Sequence, residues 1–152
     1  MNPTDYLSQW LKRYLKNRDI VFHKIQTIEE KEGFVLVEEK TKKIVYYIEP
    51  FIKSLKELLL KLESDSTEHK GLVFYNTTPN FKELLKHWDE ISKIKNLVVY
   101  FVNPFSRLEK KWMLFPKTHA LISGDDVHEG LNSLFLTVEE TTEDELTKII
   151  TE

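Results

Sequence analysis

Between residues 43 and 103 the spacing of apolar residues switches between two rhythms, and this switching limits the fold more than any other feature. Lys43–Glu49 (KIVYYIE) reads as a strand. Phe51, Ile52, Leu55, Leu58, Leu59 and Leu62 then recur every three or four residues, a helical stripe expected to begin at Pro50. Gly71–Asn76 reads as a second strand. Thr78-Pro79 opens a second helix with Phe81, Leu84, Leu85, Trp88 and Ile91 inward, and Asn96–Asn103 closes the series as a strand. Its centre, LVVYFV, is apolar at every position, which suits a strand buried on both faces of a sheet covered by helices. The segment therefore predicts a βαβαβ unit with right-handed crossovers.

Upstream, Asn2 is placed to cap a helix, with Pro3 at its first position and Asp5 in its first turn. Tyr6, Leu7, Trp10, Leu11, Tyr14 and Leu15 follow at helical spacing. Ile20–Ile28, Gly33–Glu38 and Lys43–Glu49 are joined by the short charged links Glu29–Glu32 and Glu39–Lys42, so an antiparallel meander is expected. Beyond Pro104, Lys111–Phe115 and His119–Ile122 read as short strands. A helix capped by Asp125 or Ser123 would turn Val127, Leu131, Leu134 and Phe135 inward, and Thr142–Glu145 has capping-box spacing ahead of Leu146, Ile149 and Ile150. The expected class is α/β: one mixed sheet with an N-terminal helix, a three-strand antiparallel meander and a βαβαβ segment. Residues 1–137 form the expected single domain, and 138–152 an acidic C-terminal segment with a short helix.

The 152-residue chain has no cysteine, which removes disulfides, thiolate nucleophiles and Cys-ligated metal. No run approaches the roughly 18 apolar residues of a membrane span, and the N-terminus lacks a signal pattern. A cytoplasmic protein without a membrane partner is expected. The Lys and Glu bias resembles that of heat-adapted proteins. Charge is segregated: residues 1–117 carry 21 Lys/Arg and 16 Asp/Glu, whereas 118–152 carry one Lys and nine acids. That asymmetry suits a basic body with an acidic segment that meets a protein partner, although a segregated solvated surface accounts for it equally.

The element order, with Glu49 closing the third strand, resembles the restriction-endonuclease-like superfamily, the PD-(D/E)XK nucleases, nearest its Holliday-junction-resolvase-like and RecB-like branches. The resemblance covers roughly residues 4–103. It implies an acid on the second strand and an E-x-K at the end of the third, the two acids holding a divalent metal and the lysine steadying the attacking water or phosphate charge. Glu49 matches the first acid of that E-x-K. Phe51 stands where its lysine belongs, and Phe34, Val35 and Leu36 occupy the second-strand positions. Lys53 is a displaced lysine candidate, and Asp5 a displaced acid. Glu38 or Glu39 could serve as the second acid, but pairing around the Lys40–Lys42 turn sets Glu49 opposite about Gly33 and Glu38 about 16 Å further along the strand, at about 3.3 Å per residue, too far to share a metal whose ligands sit near about 2.1 Å.

The motif loss points to a non-catalytic, degenerate nuclease-fold domain that binds nucleic acid or protein as an accessory subunit in DNA or RNA handling, with no cofactor. The alternative is an active Mg²⁺-dependent nuclease built on Glu49 with Lys53 and Asp5. Candidate nucleic-acid contacts are Lys12, Arg13 and Lys16 on the first helix and Arg107, Lys110 and Lys111 between Phe105 and Trp112. The simpler reading of the helix cluster is charge placed toward a C-terminal dipole. His119, Asp125, Asp126 and His128 crowd together without metal-ligand spacing. Four scattered glycines make no phosphate loop. An unrelated doubly wound fold, with its ligand near Asn76–Asn80 and Asn103, is a further reading.

Overall fold

Six strands lie side by side in the order in which the chain makes them. The computed structural model describes the backbone of residues 2–151 and the side chains of residues 2–148. Helix α1 (Pro3–Phe22) leads into β1 (Ile25–Lys31), β2 (Phe34–Glu39) and β3 (Lys43–Ile48), the expected antiparallel meander. Helix α2 (Leu55–Ser64) then crosses to β4 (His69–Tyr75), parallel to β3. Helices α3 (Thr78–Lys86) and α4 (Trp88–Ile91) cross to β5 (Leu97–Val102), parallel to β4. Strand β6 (Lys111–Leu114) returns antiparallel at the far edge. Helices α5 (Pro116–Ser123), α6 (Val127–Phe135) and α7 (Glu143–Thr151) complete the chain, with a 3₁₀ turn at Gly124–Asp126. No described helix is long and apolar enough to cross a membrane.

Side-chain alternation divides the core in two. Leu72, Phe74, Val99, Phe101, Trp112 and Leu114 pack with α2, α3, α4 and α6 on one face. Val35, Val37, Ile44, Tyr46, Val73, Tyr75, Tyr100 and Val102 meet Leu7, Trp10, Leu11 and Leu15 of α1, with Leu146 of α7, on the other. The run LVVYFV is apolar throughout because it feeds both cores. Residues 138–146 are built in as well: Val138 belongs to the first core and Leu146 to the second. The side chains of Ile149 and Ile150, which follow the capping box in the sequence, lie outside the described residues.

Several boundaries differ from expectation. Helix α1 runs through Ile20-Val21-Phe22, expected as strand. Asp19 stops it by accepting the backbone N–H groups of Lys24 (2.7 Å) and Ile25 (3.1 Å), and His23 turns left-handed at φ 51°. With the helix a turn longer, no basic residue occupies its last turn, so the basic cluster has no dipole role. Helix α2 starts at Leu55 under a Ser54 cap, not at Pro50. The parallel ladder instead continues past β3, since Glu49 N–H donates to Val73 O and Tyr75 N–H to Pro50 O. His119–Ile122 is helical, within α5 led by Pro116. The Thr142–Glu145 capping box forms as expected, with reciprocal bonds of 3.2 and 3.0 Å.

Candidate functional site

Glu49 leaves β3 on the face covered by α2, because Tyr46 and Ile48 point to the opposite face. Burial raises its carboxyl above the ordinary range, working against the attraction of Lys61 and Lys53, while Glu57 pushes the same way as burial. The displaced lysine candidate Lys53 therefore does act on Glu49, from the link before α2 rather than from a helical turn. Lys61 and Glu57 were not legible in the sequence, since they become neighbours only through the packing of α2. Asp5 caps nothing near Glu49: its N–H bonds Asn2 Oδ1 on α1, across the sheet.

The β2–β3 register pairs Phe34 with Tyr47 and Glu38 with Lys43. This is one residue off the expected pairing and sets Glu38 about 20 Å from Glu49 along the strand, at about 3.3 Å per residue. Among the described residues no three His, Asp or Glu side chains gather as a metal site. His119 Nδ1 is engaged by the Phe115 backbone, while Asp125, Asp126 and His128 are exposed.

The raised Glu49 carboxyl has a measurable consequence. Its folded form favours the proton, so its contribution to stability is present below the unfolded carboxyl pKa of about 4.3 and is lost as pH rises through the folded value. Glu49→Gln is therefore expected to raise the thermal midpoint at pH 7, the gain vanishing below about pH 4. A lower midpoint at pH 7 would show that Lys61 and Lys53 dominate instead.

The strand ends that were a possible ligand site are closed. Asn76 Nδ2 donates to Val138 O (3.0 Å) and Glu139 O (3.2 Å), and its Oδ1 accepts from Trp112 Nε1 (2.8 Å). Asn103 Nδ2 donates to Glu139 O, and Asn80 bonds Pro50 O, Tyr75 O and the Ile52 N–H. These amides are structural. The strand order never reverses, so the sheet has no switch-point crevice of the doubly wound kind.

The basic candidates separate into groups. Lys12 forms an ion pair with Glu30 at 2.7 Å on β1, Lys16 borders a groove beside β1, and Arg107 is exposed in its loop. Arg13, Lys110 and Lys111 converge on one open cleft of about 580 Å³ between α1 and the loop before β6. Tyr6, Trp10 and Tyr14 line it as well. They lie four residues apart on α1, an aromatic stripe visible in the sequence that was read only as core. Tyr6 stacks on Phe105 (centroids 5.6 Å apart), Trp10 on Tyr14 (5.3 Å), and Lys111 Nζ sits 5.1 Å from the Tyr14 ring centre. Glu109, 3.7 Å from Lys111, is the only acid among the described residues that lines the cleft.

Compared with family models, curated proteins and solved structures, the chain finds no match.

Proposed function

We propose that the protein is a non-catalytic domain of restriction-endonuclease-like type that binds nucleic acid as an accessory subunit. The observation that carries this reading is the convergence of Arg13, Lys110 and Lys111 over the stripe Tyr6, Trp10 and Tyr14. Cations that track phosphates beside the partly exposed rings of Tyr6 and Tyr14, with Trp10 buried between them, are the ingredients of a single-strand binding groove. The sequential sheet order, with β2 and β6 reversed, supports the fold assignment. Phe51 at the lysine position, and a Glu49 carboxyl acted on by Lys61, Lys53 and Glu57, support a non-catalytic role. A protein partner, if it uses the acidic C-terminal segment, meets the outer face of α7, because Val138 and Leu146 are committed inward.

Fluorescence anisotropy with labelled single-stranded oligonucleotides tests the reading. The triple variant Arg13→Ala, Lys110→Ala, Lys111→Ala is expected to weaken binding and to flatten the slope of log affinity against log salt by roughly 2 to 3. Unchanged affinity and slope would remove the cleft from the function. Strand cleavage that needs Mg²⁺ and disappears in Glu49→Ala would replace the non-catalytic reading with the nuclease one.

A further inference from the structure

A second cavity, of about 380 Å³, opens beyond the opposite end of β3 from Glu49. Arg18 reaches into it from α1. Its guanidinium lies 5.5 Å from the Tyr14 ring centre and interacts with the hydroxyls of Tyr100 and Tyr46. Among the described residues no carboxylate lies within ion-pair distance of it. A partly buried cation held by neutral phenols alone lacks the counter-charge that normally accompanies burial.

The walls continue that chemistry. Lys42 and Lys117 line the cavity, and Glu39 is its single carboxylate among the described residues. Lys70 also lines it but spends its ammonium on Leu62 O at 2.5 Å. The N-terminus of α5 borders the site through Lys117 and Thr118, and Phe115 at its cap position supplies no side-chain bond to the first turn. Burial raises the phenols of Tyr46 and Tyr100, so both keep a proton to donate. Gly71 makes room for the Tyr46 ring, since a Cβ there would stand 2.4 Å from Tyr46 Cδ1. Val98, Met113 and Phe115 add apolar surface to the same lining.

We propose that this cavity binds a phosphomonoester carried on a compact apolar body of mononucleotide size, the phosphate between Arg18, Lys42 and the α5 N-terminus and the body against Val98, Met113 and Phe115. A hollow of this volume with a few converging cations and a partly apolar lining is a form that small-ligand sites take. The inference is independent of the aromatic cleft, with which this cavity shares no lining residue among those described. The ester is either a free nucleotide or the 5′ end of a strand.

Titration calorimetry with adenosine 5′-monophosphate, adenosine, and matched oligonucleotides bearing a 5′-phosphate or a 5′-hydroxyl tests the site. Adenosine 5′-monophosphate is expected to bind and adenosine not to, and Arg18→Met and Lys117→Gln are each expected to weaken binding about tenfold. Lys117 is a surface residue, so its variant remains informative if Arg18→Met folds poorly. A preference for the 5′-phosphate strand that Arg18→Met or Lys117→Gln abolishes assigns the site to strand ends. If neither the nucleotide nor the 5′-phosphate is preferred, or if both variants bind as the parent does, the proposal fails.

Discussion

Asn76→Ala is expected to cost about 3–5 kcal/mol of stability, because it unpairs two polar groups at once. Asn76 is fully buried at the end of β4. Its amide holds Val138 O and Glu139 O and receives the Trp112 indole N–H. After truncation to Ala, the indole N–H and Val138 O are left unpaired, at about 1–3 kcal/mol for each such group, while Glu139 O keeps the Asn103 amide as donor. Asn76→Asp separates donor from acceptor roles. It still accepts from Trp112 but turns a carboxylate toward two carbonyl oxygens, so at pH 7 it is expected to be no better than Ala. Urea unfolding followed by tryptophan fluorescence measures both. A loss below about 1 kcal/mol for Asn76→Ala would mean that solvent reaches the site and that the network adds little.

The same network shows what could be read from the sequence. The βαβαβ core was legible because Leu97–Val102 is apolar at every position, and only a strand sandwiched between two cores needs that. The meander was legible because charged links of a few residues leave no room for a crossover. Ile20-Val21-Phe22 misled because β-branched residues favour strands, whereas here they extend α1 with Ile20 and Val21 exposed by 67% and 77%. What ends the helix is the reach of Asp19 to Lys24 and Ile25, which spacing of apolar residues does not register. The start of α2 was placed early for a related reason: Asn80, 28 residues on, captures the Ile52 N–H. The cleft was half legible. Its cations were named from local composition, but α1 and the loop before β6 are about ninety residues apart in the chain, and their meeting follows from packing. In the sequence Arg18 is one more cation of α1, and only the structure sets it apart by surrounding it with Tyr14, Tyr46 and Tyr100.

A chain ending at Thr137 is expected to lose its cooperative unfolding transition altogether. The segment beyond looks dispensable in the sequence, acidic and short, yet its anchors reach both faces of the sheet. Val138 is 3% exposed in one core and Leu146 8% in the other. Thr141 N–H donates to Asn76 O and its hydroxyl to Val102 O, while Glu140 takes the Thr78 N–H at 2.6 Å at the start of α3. Burying the two apolar side chains stabilises by about 1.5–3 kcal/mol each, and the hydrogen bonds over Asn76 and Asn103 add to that. The total approaches a net stability of about 5–15 kcal/mol for a domain of this kind. A chain ending at Thr142 separates the contributions, since it retains Val138, Glu140 and Thr141 and loses only α7 with Leu146. It is expected to fold with a midpoint lowered by the equivalent of about 1.5–3 kcal/mol. Circular dichroism melts of the two chains distinguish the outcomes. A native-like transition in the chain ending at Thr137 would show that the strand ends are held without residues 138–141 and that the asparagines close over themselves.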